Sequence, residues 1–229
     1  MSAVAHIKEY KTGTLYSDEF RGGLSWNGYE RNVLLRNDGP DLNGVPQFTD
    51  VAVALGADDI RDGRGMATAD FDNDGDLDIV INNNPGDLIE DQNHARATFL
   101  RNNLGQNRNF LTVELQGTKS NRDGVGAVVT IEAGGSKQIR HAAAGSGYAS
   151  QHSARLYFGL NDTTRVDTLT VRWPSGLIER FENIDARRLV HITEGSDMKM
   201  LPLPQKRSLA ELSTKSATPS PTEARRPAE

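Results

Sequence analysis

Residues 70–78 read Asp-Phe-Asp-Asn-Asp-Gly-Asp-Leu-Asp, so carboxylates stand at positions 1, 3, 5, 7 and 9 of a nine-residue stretch. Like charges at this density repel one another strongly, and folding alone does not relieve the repulsion. A hard divalent cation does, because calcium takes about six to eight oxygen ligands at roughly 2.3–2.6 Å. The spacing therefore predicts a loop that closes around calcium.

Four aspartates are expected to contribute side-chain oxygens to the ion: Asp70, Asp72, Asp74 and Asp78. Asp76 is expected to give mainly its backbone carbonyl, and Gly75 permits the sharp turn that the loop needs. The alternative is an acidic surface turn that binds nothing. That alternative leaves a dense negative cluster uncompensated, which destabilises a fold.

The loop is not an EF-hand, because position 12 is Ile81 where that motif requires glutamate. The flanks also differ from the helices of an EF-hand. Residues 79–81 are β-branched and apolar, and residues 65–69 are too short and too glycine-led for a good helix. The sequence therefore places the aspartate loop between two strands.

Composition narrows the class of protein. The chain has 229 residues, 36% hydrophobic and 25% charged, which is typical of a soluble globular protein. No apolar run approaches the roughly 20 residues that span a bilayer, so no membrane insertion is expected. Cysteine is absent, which excludes disulfides and thiolate metal sites. The first eight residues lack an apolar core, so no secretion signal is expected in this chain.

Negative charge is concentrated around the loop. Eleven acidic residues and two arginines lie between residues 58 and 91, a local balance of −9 within a chain whose net charge is −5. Such a field attracts cations and repels phosphate backbones, so nucleic acid is not expected as a partner.

The first half of the chain is predicted to have short strands, and it contains one repeated tripeptide. Residues 1–31 form a polar N-terminal segment with one or two short strands, and residues 32–39 run from an apolar strand into a turn. Residues 51–55 are expected to form one helical turn, capped by Thr49 or Asp50. Leu-Arg-Asn occurs at residues 35–37 and again at residues 100–102, which indicates a four-stranded unit of the propeller-blade kind.

From Phe110 onward the pattern is regular β alternation. Leu169, Val171 and Trp173 alternate with polar residues, and similar runs predict about seven short strands in an antiparallel sandwich or barrel of about 85 residues. Residues 202–229 are rich in proline and polar residues, which predicts a disordered tail. The predicted fold class is all-β, a partial propeller-like blade followed by an antiparallel β-sandwich.

Other candidate sites have simpler structural interpretations. Residues 121–126 hold two glycines like a phosphate loop, but a strand rather than a helix follows, so a structural turn is favoured. Gly145-Ser146-Gly147 lacks the spacing of a nucleophile elbow. Ser150 and His152 lie nearby, but closeness in sequence is poor evidence for a dyad, and no catalytic residue is predicted. The five histidines are scattered, which argues against zinc. Trp173 is expected in the core, whereas Trp26 is the better candidate for an exposed binding aromatic.

Two stretches resemble known families. Residues 32–108, with Leu-Arg-Asn-Asp-Gly, Phe-Thr-Asp-Val, Gly-Arg-Gly-Met-Ala and the aspartate loop, resemble an FG-GAP/VCBS repeat. Residues 109–196, with Ser-Asn-Arg-Asp-Gly-Val-Gly-Ala, Ala-Gly-Ser-Gly-Tyr-Ala-Ser-Gln, Leu-Tyr-Phe-Gly-Leu and Val-Arg-Trp-Pro-Ser-Gly, resemble an ASPIC/UnbV domain. The first resemblance implies calcium binding through a D-x-D-x-D-G-x-x-D loop. The combination implies an extracellular or cell-surface location and a chain that corresponds to a C-terminal fragment or a minimal version.

These observations lead to two hypotheses of function. The first is a non-catalytic, calcium-binding module for extracellular recognition or adhesion, with an unidentified protein or glycan as its ligand. The alternative is a carbohydrate-active enzyme or accessory domain that uses the aspartates as acid and base. Glycoside hydrolysis needs one carboxyl kept protonated, whereas a metal keeps all of its carboxylates ionised, so the metal hypothesis argues against catalysis at the loop.

Overall fold

The structure is a computed structural model that describes residues 31–61, 63–83 and 97–203. The predictions for Trp26, for the N-terminal segment and for residues 204–229 of the tail lie outside the described residues. Within these described ranges, the helical elements are one turn, α1 (Ala52–Leu55), and a 3-10 turn at Gly105–Asn107. The strands are β1 (Leu35–Pro40), β2 (Pro46–Asp50), β3 (Gly63–Ala69), β4 (Asp78–Asn83), β5 (Ala97–Leu100), β6 (Asn109–Gln116), β7 (Val128–Ala133), β8 (Ser136–His141), β9 (Leu156–Asn161), β10 (Arg165–Arg172), β11 (Ile178–Asp185), β12 (Arg188–Thr193) and β13 (Lys199–Leu201).

This architecture confirms the predicted all-β class. The described residues divide into two compact units. One unit contains β1–β5 and the segment 144–153, and the other contains residues 70–77 and β6–β13. None of the helices in the described ranges is long and apolar enough to cross a membrane.

The unit with β1–β5 holds an antiparallel hairpin, β1-β2, and a separate antiparallel meander, β3-β4-β5. The sequence predicted a four-stranded unit of the propeller-blade kind here, whereas the described residues form a three-stranded meander with no fourth strand in this sheet. Strands β3 and β4 flank the aspartate loop, as predicted. The β-branched residues of β4 favour a strand, and Ala69 at the end of β3 pairs with Asp78 at the start of β4, which closes the loop between them.

The predicted helical turn is confirmed over Ala52–Leu55. The Asp50 carboxylate accepts the backbone N–H of Ala52 at 2.9 Å, so Asp50, and not Thr49, satisfies a donor at the first turn. The residue at the N-cap position itself is Val51.

The other unit is a sandwich of two four-stranded sheets, ordered β11-β10-β7-β8 and β13-β12-β6-β9. Alternate residues of both sheets point into one apolar core, and Trp173 is only 1% exposed there, which confirms its predicted place. All strand pairs are antiparallel except β6 with β12, which run parallel. The sandwich contains eight strands where the pattern predicted about seven.

Candidate functional site

The aspartate loop is a series of bends between β3 and β4. Its backbone turns where Asn73 and Gly75 take positive φ values of 59° and 96°. The Asp70 carboxylate accepts the backbone N–H groups of Asp74 and Gly75, both at 3.0 Å. These bonds fold the chain back over its first aspartate, so the loop has a defined turn and does not simply extend into solvent.

Three of the five predicted ligands come together. Carboxylate oxygens of Asp70, Asp72 and Asp78 lie within 4.8 Å of one another, the only group of three or more metal-capable side chains found in the described ranges. Asp74 and Asp76 are outside this group, although the Asp74 carboxylate accepts the Asp76 N–H at 3.3 Å. The structure therefore brings together the first, third and ninth positions of the loop.

Burial sets the electrostatics of this cluster. Asp78 is fully buried and Asp76 is 6% exposed. Burial raises the pKa of Asp70 above its ordinary value, and the charge of Asp74 adds to the rise, while the N–H groups of Gly75 and Asp74 act against it. Negative charge is therefore costly at this position when no cation is near.

The donor set fits a hard divalent cation. Only oxygens converge, which suits calcium or magnesium rather than zinc. Oxygens that share a calcium at 2.3–2.6 Å lie at most about 5.2 Å apart. The observed separations satisfy that limit. Asp70, Asp72 and Asp78 are thus the residues that would hold the ion.

Two supporting residues were not found by sequence reasoning. The backbone N–H of Asn102 donates to Oδ1 of Asp78 at 2.8 Å and orients that buried carboxylate. The aromatic ring of Phe110, at the start of β6, lies against Gly75 of the loop. The repeat of Leu-Arg-Asn at residues 100–102 drew attention to the region of Asn102, but no local pattern indicates the contact of Phe110 with the loop.

The segment 144–153 shows no catalytic arrangement. Nδ1 of His152 accepts the backbone N–H of Thr68 at 3.1 Å, and the Ser150 hydroxyl donates to the carbonyl of Ser146 at 2.7 Å. The two side chains are therefore engaged with backbone groups rather than with each other. His152 holds this segment along β3 together with the N–H of Ser153, which donates to the Thr68 carbonyl, whereas the Ser150 bond lies within the segment.

The candidate phosphate loop is a structural turn, as predicted. Turns at residues 122–123 and 125–126 lead directly into β7. The nearby N–H groups of Thr118, Lys119 and Ser120 all donate to the Glu194 carboxylate, at 2.8, 2.8 and 2.7 Å. The Glu194 carboxylate therefore occupies the anion-binding position that these three N–H groups form.

An apolar pocket in the unit of β1–β5 offers no acid and base pair. It is lined by residues of β3, β4 and β5 and of the chain before β1, and Arg64 is the charged residue among them. A glycosidase needs two carboxyls at a defined separation. This pocket has no carboxyl in its lining.

Comparison with known families locates one domain. Residues 117–199 match the family model described as ASPIC and UnbV. The matched range runs from the turn before β7 to the start of β13, and it includes Glu194 and its three backbone donors. No curated protein matches the chain.

Proposed function

We propose that this protein is a non-catalytic, calcium-binding recognition or adhesion module that acts outside the cell or at its surface. The observation that carries the proposal is the convergence of Asp70, Asp72 and Asp78, with carboxylate oxygens within 4.8 Å of one another on a folded loop. The resemblance of the loop to an FG-GAP/VCBS repeat supports calcium as the ion. The match of residues 117–199 to the ASPIC and UnbV family supports the extracellular setting, because the combination of this family with an FG-GAP/VCBS repeat implies that location. The ligand belongs to the protein or glycan class.

Calcium would be structural in this proposal. A catalytic metal needs an open coordination position and a proton-transfer group beside it. Of the other loop residues, Phe71, Asn73 and Leu77 carry no such group. The remaining carboxylates are Asp74 and Asp76, and a hydrolysis test with Asp74→Ala examines whether they act in catalysis. When bound, the ion would supply positive charge that cancels the repulsion among the aspartates. The chain's own part is to hold Asp70 through two backbone bonds and Asp78 through the Asn102 N–H.

Calorimetric titration with calcium chloride tests the proposal. Wild type is expected to bind about one ion per loop, and Asp72→Ala is expected to abolish the binding because one of three convergent carboxylates is lost. Asp74→Ala is expected to weaken or abolish binding as well, since it removes charge from the loop. Asp167→Ala, an exposed aspartate on β10, is the matched control and should bind as wild type does. Equal binding by wild type and Asp72→Ala would reject the site.

The carbohydrate-active alternative predicts a different experimental result. It requires that a glycan substrate is hydrolysed and that hydrolysis stops in Asp74→Ala while the fold, followed by circular dichroism, is intact. The calcium proposal expects no hydrolysis by wild type. Turnover that depends on Asp74 would therefore replace the non-catalytic proposal with the enzymatic one.

A further inference from the structure

The most constrained contact of the aspartate loop is with an aromatic ring. Gly75 has φ +96°, and a Cβ added there would lie 2.0 Å from Cε1, 2.3 Å from Cζ and 2.6 Å from Cδ1 of Phe110. Distances below 3.0 Å require that something move. The ring therefore rests directly on the backbone of residue 75, and glycine is required there both for its φ and for this approach.

The ring is not free to move aside. Phe110 is only 7% exposed, and its backbone is fixed at both ends of the residue. It pairs with Gly159 of β9, and its carbonyl accepts the N–H of Arg187 at 2.7 Å. A buried aromatic ring on a paired strand is a rigid support compared with a loop side chain.

Gly75 is also where the loop holds its first aspartate. The N–H of Gly75 donates to Oδ2 of Asp70, and the N–H of the preceding residue donates to Oδ1. A support beneath Gly75 therefore fixes the position of a carboxylate that belongs to the convergent group. Without it, repulsion among the aspartates would open the loop before an ion arrives.

We propose that Phe110 is a positioning residue for the calcium loop, and that its ring pre-shapes the loop and so sets the calcium affinity. This inference rests on the proposed function. Affinity in oxygen-ligand loops depends on the rigidity of the site as well as on its charge. Residues outside the coordination shell that orient ligands typically change metal affinity by about 10- to 100-fold when removed.

The test is calcium titration calorimetry on wild type and a set of matched variants. Phe110→Leu keeps an apolar support and should weaken binding by about tenfold or less, whereas Phe110→Ala should weaken it by about 10- to 100-fold. Phe181→Ala is the control, because Phe181 is a phenylalanine that packs on the core from β11. It should lower the melting temperature and leave the calcium affinity unchanged.

A pair of variants separates positioning from general destabilisation. Gly75→Ala introduces the clash with the ring, and Gly75→Ala combined with Phe110→Ala removes the clash while the φ strain is the same in both. If the ring acts through this contact, the double variant binds calcium more tightly than Gly75→Ala alone, so the two substitutions are not additive. The melting temperature in chelator, recorded for each variant, shows whether it is folded.

The outcomes are distinct. Weaker binding in Phe110→Ala, normal binding in Phe181→Ala and partial recovery in the double variant would establish the positioning role. Unchanged affinity in Phe110→Ala and Phe110→Leu, or an equal loss in Phe181→Ala, would overturn it while the calcium site stands. Absence of calcium binding in wild type would reject the proposed function and this inference together.

Discussion

At the residue scale, the best-satisfied charge in the described structure is Glu194. It is 2% exposed, and its carboxylate accepts three backbone N–H groups and the hydroxyls of Ser120 and Ser175. Burial by itself raises the pKa of Glu194, but the N–H of Ser120, the Ser175 hydroxyl and the remaining donors outweigh it and hold the pKa far below the ordinary value. The residue ties the turn before β7 to the turn after Trp173 and to the end of β12.

Glu194→Gln should therefore destabilise the sandwich at neutral pH. The amide group presents N–H donors to backbone donors, so several bonds are lost at once. We expect a fall of several degrees in the melting temperature, measured by differential scanning calorimetry. Asp167→Asn, on the exposed side of β10, should change it little.

The acid dependence of the Glu194 contribution has a definite sign. A carboxyl whose folded-state pKa is depressed adds stability above its ordinary value of 4.5, and this stability is lost as the pH falls through the lower folded-state pKa. Wild type should thus lose stability progressively as the pH falls below 4.5. The difference in melting temperature between wild type and Glu194→Gln should shrink over that range, and a constant difference would contradict the assignment.

At the element scale, the segment 144–153 lies along the outer edge of β3 and is held by His152. The backbone N–H of Thr68 donates to Nδ1 of His152, so the imidazole is the acceptor that satisfies this amide. His152→Ala should free the Thr68 amide, and hydrogen exchange at Thr68 and Ser153 should become faster by about tenfold or more. His191→Ala, on β12, is the control. Unchanged exchange at Thr68 in His152→Ala would show that the imidazole does not hold this edge.

The elements also show what the sequence could predict. Strands with a buried face, such as β6, β7 and β10, were found from alternation because every second residue enters the core. Strand β8 was not predicted, because it has no buried residue and therefore no alternation of apolar and polar positions. Its role lies in side chains: Gln138 and Arg140 donate to the carbonyls of Gly159 and Tyr157 on the edge strand β9. Such covering of an edge depends on tertiary position, which a local pattern does not encode.

The same limit applies at the candidate site. The convergence of Asp70, Asp72 and Asp78 could be predicted from their spacing, because a loop of fixed length brings these positions round one centre. The contact of Phe110 with the loop could not be predicted in this way. Phe110 lies 35 residues after Gly75 in the sequence, and the two come together only in the folded chain. Asp74 and Asp76 were predicted on the same spacing, and the structure leaves them outside the convergent group.

At the scale of the whole molecule, the two units differ in how they are stabilised. Among the described residues, the buried apolar side chains lie almost entirely in the sandwich, whereas the unit of β1–β5 contributes only Ala52, Ala57 and Ile81. Apolar burial is the dominant source of stability, so the sandwich should be the more protected unit in hydrogen exchange. In this account, an ion that binds only the folded loop would add stability by mass action, about 2.7 kcal/mol at 100 times its dissociation constant.

The most direct measurement is amide hydrogen exchange of wild type with saturating calcium and with excess chelator. If the loop closes around a structural calcium, removal of the ion should speed exchange by about tenfold or more over residues 67–81. Residues 111–173 of the sandwich should change far less, because their protection comes from the apolar core. Equal exchange in the two conditions at residues 67–81, or a uniform rise across both regions, would contradict a local structural calcium site.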